Sequence, residues 1–329
     1  MKARQRGVAL LTVLLLVAVM SVLLMAVLDD IRFGLRRASN SQAVAQAQWY
    51  ALGTESLAQS RIQRMARSDA GRTTLVGDWN DRPFLFPLGE DGRHDGMISV
   101  RVADATACFN LNSVVEGAVE QWRPREIGML QYRALLQALE LAPRQADKLV
   151  DALVDWIDSD QDPQPAGAED GAYAARAGVR TSGTLLAEVS ELRAIEGYSA
   201  EVYAQLRPHV CALPTAELAP VNINTLEDAD AVIVSMLTDN QVSIAEGRRI
   251  LAARPLGGWS DVLAFWGQPS LARAAVPNPV LQQISLRSRY FSLHSEVEYA
   301  GAQVVMSALF EHDAGGEARL LARRWSNDE

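Results

Sequence analysis

The longest apolar run in the chain lies near its N-terminus and decides where the rest of the chain folds. From Val8 to Leu28 there are 21 residues, and only Thr12 and Ser21 among them carry polar side chains. At about 1.5 Å per residue, a helix of this length spans roughly 31 Å, which matches a hydrocarbon core of about 30 Å. The run therefore predicts a membrane-spanning helix.

The charges that flank this run predict its orientation. Lys2, Arg4 and Arg6 precede it, and Asp29 and Asp30 follow it. Because cationic flanks stay on the cytoplasmic side, we expect a single-pass protein whose bulk is exported. A cleaved secretory signal fits less well, because it has an apolar core of about 7 to 15 residues and a small-x-small cleavage site. An ordinary signal anchor is a further alternative.

The residues around Gly7 narrow these alternatives. A short basic leader that ends in Gly7, directly before VALLTVLLL, resembles the processing site of type IV prepilins and pseudopilins. The resemblance implies that residues 1–7 are a leader and that a prepilin peptidase cuts between Gly7 and Val8. It also implies that the new N-terminal amine, on Val8, is methylated.

The sequence beyond the span can continue the same helix. No proline occurs between Val8 and Arg82, so one helix can run to about Ser68, a length of roughly 90 Å. Apolar residues recur at helical spacing in its second half, which gives it a face to pack on. These residues are Val44, Ala47, Tyr50, Ala51, Leu57, Ile62 and Met65.

Thr12 departs from the pseudopilin pattern. The fifth mature residue of that family is usually a Glu that pairs with the N-terminal ammonium of a neighbouring subunit inside the bilayer, where a lone charge is costly. Threonine cannot form this ion pair. The large minor pseudopilin K of type II secretion is known for lacking this Glu, so the resemblance implies that Thr12 marks the subunit at the filament tip.

Composition describes an acidic globular chain with no catalytic motif. Its 329 residues predict two or three domains, and its net charge of −9 becomes −12 when the three leader cations are removed. Because nucleic-acid binding needs a basic face, an acidic exported domain argues against nucleic acid as a partner. No G-x-S-x-G elbow, Walker-type loop or H-x-x-x-H pair occurs, so we expect no enzymatic activity.

Cys108 and Cys211 are the two cysteines of the chain. In an exported chain an even count allows one disulfide, which would close a loop of about 100 residues. Two buried free thiols are the alternative.

Strand periodicity occurs at two separated places. MISVRVAD alternates with Ile98, Val100 and Val102 on one face, after a link from Ser68 onward that is rich in Gly, Asp and Pro and predicts turns throughout. SRYFSLHSEVEY, GAQVVMSALFEH and EARLLARRWS near the C-terminus predict an antiparallel meander, with one tight turn at residues 314–316. Between these regions the pattern is helical.

A weak internal repeat divides the helical region. FNLNSV at residues 109–114 and VNINTL at 221–226 both place two asparagines before a helix, where such side chains cap free amides. We predict two related helical modules, residues 108–213 and 214–285. Residues 29–107 then hold the exported half of the long helix, the link and the first strand, and residues 286–329 hold the last strands.

This layout predicts an α+β fold in which a long N-terminal transmembrane helix packs on a small antiparallel sheet. It resembles pseudopilin K, whose pilin-like core is interrupted by a large helical insertion of two SAM-like modules. The second module also resembles the helix-hairpin-helix of DNA-uptake proteins. Its hairpin position, residues 238–241, reads Thr-Asp-Asn-Gln without glycine, so we expect the fold without phosphate binding.

Six carboxylates lie within 16 residues of the first module: Asp155, Asp158, Asp160, Asp162, Glu169 and Asp170. Four of them occupy positions 1, 3, 5 and 12 of an EF-hand-like loop, but Pro163 stands where an EF-hand needs glycine. We therefore expect an irregular loop that binds Ca²⁺, because the carboxylates repel one another without a cation. A solvated acidic loop is the alternative.

Together with these observations, the resemblance implies a non-enzymatic minor pseudopilin at the tip of the type II secretion pseudopilus, in the inner membrane with its bulk in the periplasm. It would promote pseudopilus assembly and protein export across the outer membrane. The resemblance implies as partners the minor pseudopilins I and J, the major pseudopilin and the prepilin peptidase. A membrane-tethered DNA-uptake protein and a minor pilin of a type IV pilus are the alternatives.

Overall fold

A single helix, α1 (Arg6–Ser68), runs from the apolar segment into the folded body of the chain. The computed structural model describes residues 6–89, 95–218, 220–312 and 316–325. Most of the predicted leader and most of the predicted turn at 314–316 lie outside these ranges. The prediction of one uninterrupted helix to Ser68 is confirmed. Within the described ranges, α1 is the one helix long and apolar enough to cross a membrane.

Five strands form one antiparallel sheet in sequence order. They are β1 (Phe84–Leu88), β2 (Gly96–Asp104), β3 (Tyr290–Tyr299), β4 (Ala302–His312) and β5 (Ala318–Arg324). β2 pairs with β3, so the chain leaves the sheet after β2 and returns beside the same strand. The whole helical region is therefore an insertion between two adjacent strands, as predicted.

The prediction that the link carries turns throughout is wrong for β1. Its backbone pairs antiparallel with β2, from Phe84 opposite Val100 to Leu88 opposite Gly96. Pro87 cannot donate a ladder hydrogen bond, but β1 is an edge strand, where this loss is tolerated. The guanidinium of Arg61 on α1 lies 4.2 Å from the centre of the Phe84 ring, so the helix covers this strand.

The second half of α1 packs across the middle of the sheet. Ala47, Ala51 and Ala58 are buried there, and such small side chains let the helix lie close to the strands. Ile62 and Phe310 are buried in the same core, each worth about 1.5–3 kcal/mol in transfer free energy. At the β5 edge of the sheet, Arg323 forms a bidentate ion pair with Glu55, which is buried on α1. These contacts fix the helix on the sheet.

Eight helices build the described part of the insertion. The first module holds α2 (Glu126–Ala138), α3 (Pro143–Ile157), α4 (Asp170–Ala177) and α5 (Ala200–Leu206). The second holds α6 (Ala231–Leu237), α7 (Ile244–Ala252), α8 (Val262–Trp266) and α9 (Asn278–Gln283). One hydrophobic core runs through both modules. The apolar stripe predicted for α3 is buried in it, at Ala146, Leu149, Val150, Leu153, Val154 and Ile157.

Each module is closed at its base by a short parallel strand pair. Phe109–Asn110 pairs with Val210–Cys211 in the first module, and Val221–Asn222 pairs with Ile284–Ser285 in the second. A short antiparallel pair, Val115–Glu116 with Arg123–Pro124, precedes α2. The internal repeat in the sequence thus corresponds to a repeated closure in the structure.

The repeated asparagines hold these closures together. Asn112 accepts a hydrogen bond from the backbone N–H of Leu186 at 2.7 Å, and Asn224 accepts one from Trp259 N–H at 2.7 Å. The first asparagine of each motif bonds to the segment that leaves its module, which involves the pairs Asn110 with Leu213 and Asn222 with Ser288. All four asparagines are buried. They therefore do more than cap a helix, because each ties two distant segments.

Cys108 and Cys211 form a disulfide beside the closure of the first module. The bond joins positions 103 residues apart and includes one member of the strand pair at the base. In the chain-entropy account, a loop of this length removes about 4.7 kcal/mol of unfolded-state entropy, less any strain. The first module is therefore fastened to its own exit by a covalent bond as well as by Asn110.

Candidate functional site

The acidic loop connects α3 to α4 in the first module. Asp158 ends α3 with an extended backbone, and Glu169 directly precedes α4. The segment between them contains turns and extended residues and no helix, as expected from Pro163. Its two ends are thus set by rigid helices, which brings the first and last carboxylates of the loop together.

Three carboxylates of the loop converge on one point. Asp158, Asp160 and Glu169 each offer one oxygen that lies within 4.8 Å of the oxygens of the other two. Asp158 and Glu169 are buried, whereas Asp160 is exposed. Both oxygens of Asp158 and of Glu169 lack a well-formed hydrogen bond to any residue in the described part of the chain. Buried carboxylates without donors are costly, so this group fits a bound cation.

Asp155 holds the backbone of the loop and stands outside this group of three. Its Oδ1 accepts a hydrogen bond from Gln164 N–H at 3.0 Å. One helical turn earlier, Asp151 accepts from Ala166 N–H at 3.0 Å in the same way. Gly167 lies so close that a Cβ there would stand 1.9 Å from Asp155 Oδ2. The sequence analysis missed Asp151, although its position four residues before Asp155 on α3 is a visible signal.

Asp162 and Asp170 also lie outside the group of three. Asp162 is exposed, and its N–H donates to Asp160 Oδ1 at 2.9 Å. Asp170 Oδ1 accepts hydrogen bonds from the N–H and the hydroxyl of Thr181, at 2.8 and 2.9 Å. The structure therefore brings together three of the six predicted ligands, while the carboxylates of Asp155 and Asp170 bond to the chain around them.

Burial of these carboxylates changes their proton affinity. Removal from water is the larger cause and repulsion from neighbouring carboxylates the smaller one; together they raise the pKa of Asp158 to about 8 and that of Glu169 to about 7. Burial also raises the pKa of Asp155 to about 6, although hydrogen bonds from the loop backbone oppose this. Without a cation, the carboxyls of Asp158 and Glu169 therefore bind protons near neutral pH. Ca²⁺, a hard cation that binds several oxygens, would replace those protons.

The hairpin of the second module has the shape of a phosphate-binding turn without its chemistry. Asp239 and Asn240 both have positive φ angles, 49° and 58°, in the place where glycines would serve. The amide of Asn240 donates to the carbonyl of Ala134 on α2 at 2.9 Å. The hairpin thus fastens the second module to the first, and its exposed Asp239 would repel a phosphate.

The face of α1 that points away from the sheet carries an exposed apolar stripe, defined here as Ala45, Trp49, Gly53 and Leu57. Trp49 is 69% exposed and Leu57 is 52% exposed. A Cβ at Gly53 would meet nothing within 4 Å, so the fold of this chain does not require glycine there. Glycine inside a helix costs about 1 kcal/mol relative to alanine. The stripe was not predicted, and the assignment of Leu57 to the packing face of α1 is wrong, because Leu57 is exposed on the opposite side.

Thr12 lies in the membrane-spanning part of α1. Its hydroxyl donates to the carbonyl of Ala9 at 2.9 Å, so its hydrogen-bonding capacity is met within its own helix. The predicted cleavage point, Gly7–Val8, lies at the start of α1.

The helical modules match known sequence families. Two family models, both described as type II secretion system (T2SS) protein K, match residues 107–215 and 221–287. These ranges are close to the two modules predicted from the repeated asparagines.

Full-length relatives share both the sequence and the fold. Type II secretion system protein K of Pectobacterium carotovorum is 32% identical and aligns over 99% of this chain and 98% of its own. The Klebsiella pneumoniae protein is 36% identical, with 93% and 90% covered. In the crystal structure of the GspK-GspI-GspJ complex from enterotoxigenic Escherichia coli, one chain superposes with a TM-score of 0.76 and 31% identity. The match covers 89% of this chain and 100% of that one.

The raised pKa values predict how metal-free protein responds to pH. A carboxyl with a raised pKa stabilises the fold fully below the ordinary carboxyl pKa of about 4 and loses that contribution as pH rises through its folded pKa. With chelator present, we expect these groups to lower the melting temperature from about pH 4 to about pH 8, and Asp158 and Glu169 to cause the fall between pH 6 and pH 8. About 1 kcal/mol corresponds to 2–4 °C in a body of 150–250 residues.

Asp158→Asn should flatten this dependence, because its amide cannot ionise. Asp162→Asn, exposed and outside the group, is the matched control and should keep the wild-type slope. A melting temperature in chelator that is constant or rises from pH 6 to pH 8 would contradict the prediction.

Proposed function

This chain belongs to the type II secretion system protein K family, and from this premise we propose that it caps the tip of a pseudopilus. It is a minor pseudopilin with a single membrane-spanning helix, and family membership gives no enzymatic role. At the tip it would start filament assembly and thereby promote export across the outer membrane.

Thr12 is the observation that carries the tip assignment. A subunit within the shaft has a neighbour whose N-terminal ammonium needs a carboxylate partner inside the bilayer. Thr12 offers no charge, and its hydroxyl already bonds to Ala9. A subunit without that carboxylate is suited to the one position where no such neighbour follows.

We infer that its partners at the tip are the minor pseudopilins I and J. The related chain of enterotoxigenic Escherichia coli crystallises in a GspK-GspI-GspJ complex. The stripe on α1 offers a place for such a contact, because helices that rise from one bilayer run side by side. Trp49 would supply contact area, and Gly53 would let a second helix approach closely. The major pseudopilin would lie below this complex.

We also propose the cellular placement and processing that the sequence implied. The prepilin peptidase would cut between Gly7 and Val8, and the amine of Val8 would be methylated. The cations Lys2, Arg4 and Arg6 favour an inner-membrane anchor with the sheet and both modules in the periplasm. The DNA-uptake alternative is disfavoured by Asp239 in the hairpin, and a type IV pilus minor pilin by the family assignment.

A calcium ion bound by the acidic loop is the last part of the proposal. Asp158, Asp160 and Glu169 would supply the carboxylate oxygens, and nearby backbone carbonyls would fill further positions. The support is the pair of buried carboxylates that lack donors. The ion would lock α3 and α4 together at the rim of the first module.

Thr12→Glu tests the tip assignment. We expect no gain in secretion and a loss if the new carboxylate has no partner, because an unpaired acidic side chain inside a bilayer is costly, up to about 2.5–3.5 kcal/mol at the centre of a span. Thr12→Val, which adds no charge, is the control and should secrete like wild type. A Glu variant that enters the filament shaft in many copies and secretes better would contradict the assignment.

Trp49→Ala tests the partner contact. Truncating a Trp at the centre of an interface costs about 2 kcal/mol or more of binding free energy, which makes the dissociation constant roughly 30-fold larger. Affinity for the purified minor pseudopilins I and J, measured with the full-length protein in detergent, should fall by about this factor. Trp325→Ala removes a Trp that is 43% exposed elsewhere and should leave affinity unchanged. Equal affinity of wild type and Trp49→Ala would exclude the stripe.

Calcium titration of the purified protein tests the metal proposal. Calcium at 100-fold above its dissociation constant should add about 2.7 kcal/mol to stability, read as a higher melting temperature than in chelator. The double variant Asp158→Asn, Glu169→Gln should lose this response, whereas Asp162→Asn should keep most of it. Identical melting temperatures with calcium and with chelator, and no calcium by elemental analysis, would refute the site.

A further inference from the structure

Asp104 is a fully buried carboxylate at the point where the chain leaves the sheet. It is the last residue of β2, and the first module begins four residues later. Within the described part of the chain it forms no ion pair, and burial raises its pKa. A buried carboxylate without a cation costs several kcal/mol unless hydrogen-bond donors satisfy it. Its surroundings therefore need an explanation.

Four donors satisfy Asp104, and they come from three parts of the chain. Oδ1 accepts from the N–H and the hydroxyl of Thr106, at 2.8 and 2.6 Å. Oδ2 accepts from the hydroxyl of Thr225 at 2.5 Å and from that of Ser288 at 2.5 Å. Thr225 lies 121 residues away at the entry to the second module, and Ser288 lies 184 residues away on the segment that returns to β3.

A second layer of hydrogen bonds extends this junction to the segment that follows α1. Asn222 donates to Ser288 Oγ and to the carbonyl of Thr73, both at 2.9 Å. Ser288 N–H donates to Thr73 Oγ1 at 3.2 Å. The N–H of Asp104 itself donates to Asn80 Oδ1 at 2.8 Å. The end of β2, the link after α1, the entry to the second module and the segment that returns to β3 thus all bond to this cluster.

We call α1 and the five-stranded sheet the stem, and residues 108–285 the head. We propose that Asp104 is a positioning residue that sets the orientation of the head on the stem, acting through Thr225 and Ser288. The inference goes beyond the proposed function, because it concerns the shape of one chain and its test needs no partner.

Directional bonds explain why a carboxylate stands here instead of an apolar side chain. Apolar packing between two bodies tolerates small rotations of one against the other. A carboxylate that must meet hydroxyls from both bodies is satisfied in one arrangement only. Rotation of the head would take the Thr225 hydroxyl away from a buried carboxylate, and the cost of that lost donor disfavours other orientations.

The test separates this role from ordinary stabilisation by comparing two hydroxyls on the same carboxylate. Thr225→Val removes a hydroxyl donor that comes from the head. Thr106→Val removes a hydroxyl donor that follows Asp104 by two residues and does not come from the head. Thr225→Ser keeps the hydroxyl and serves as the conservative variant. Asp104→Asn is measured alongside them, and the threonine variants keep the test decisive if it does not fold.

The readout is the distance between stem and head in the full-length protein in detergent. Spin labels are placed at Arg64→Cys on α1 and Arg248→Cys on α7, both exposed, without reductant so that the Cys108–Cys211 bond stays closed. Pulsed electron–electron double resonance then gives the distribution of distances between the two spin labels.

We expect one narrow distribution in wild type, in Thr225→Ser and in Thr106→Val. Thr225→Val should at least double its width or shift its mean. The proposal is overturned if Thr225→Val keeps the wild-type distribution while its melting temperature falls. It is equally overturned if Thr106→Val broadens the distribution as much as Thr225→Val. Asp104 would then stabilise the fold without setting the orientation of the head.

Discussion

The continuity of α1 is the constraint on which the rest of the structure depends. One helix of 63 residues has to satisfy two solvents, hydrocarbon over its first third and a packed protein core over its last third. In the bilayer every backbone group bonds within the helix, so the segment needs only apolar side chains. On the sheet the same helix needs a narrow face, which Ala47, Ala51 and Ala58 provide. The position of the sheet relative to the membrane is therefore set by one continuous helix.

The side of α1 that faces away from the sheet is therefore open to other molecules. Trp49 and Leu57 stand exposed there, next to a glycine that the chain itself does not need. The sheet fixes which side of α1 is buried, and so it also fixes which side is open to a partner. The head then adds bulk at the sheet without touching the membrane-spanning half. In the proposed tip position, the exposed side of α1 would face neighbouring subunits and the head would project beyond the filament.

Periodicity in the sequence was enough to predict the elements that depend on local pattern, such as α1, the buried stripe of α3 and the alternation of β2. It failed at β1, because Pro87 and the surrounding turn residues hide a strand whose edge position only the sheet reveals. The loop shows the same limit. Spacing alone found six carboxylates, but backbone N–H groups engage Asp155, and Thr181 engages Asp170. The Asp104 cluster joins residues more than 100 positions apart, and no local pattern carries that information.

Two buried carboxylate sites in this chain have opposite surroundings, and the contrast bears on both. Asp104 receives four donors from hydroxyl and amide groups, so its charge is met by the protein itself and the site has no need of an ion. Asp158 and Glu169 are buried beside each other and a third carboxylate, and they have no comparable donors. The N–H and hydroxyl of Thr181 bond instead to Asp170, and the N–H of Ala166 bonds to Asp151. A fold that supplies donors to the supporting carboxylates and withholds them from the central ones has the arrangement of a cation site. In contrast, a solvated acidic turn would leave its carboxylates exposed to water.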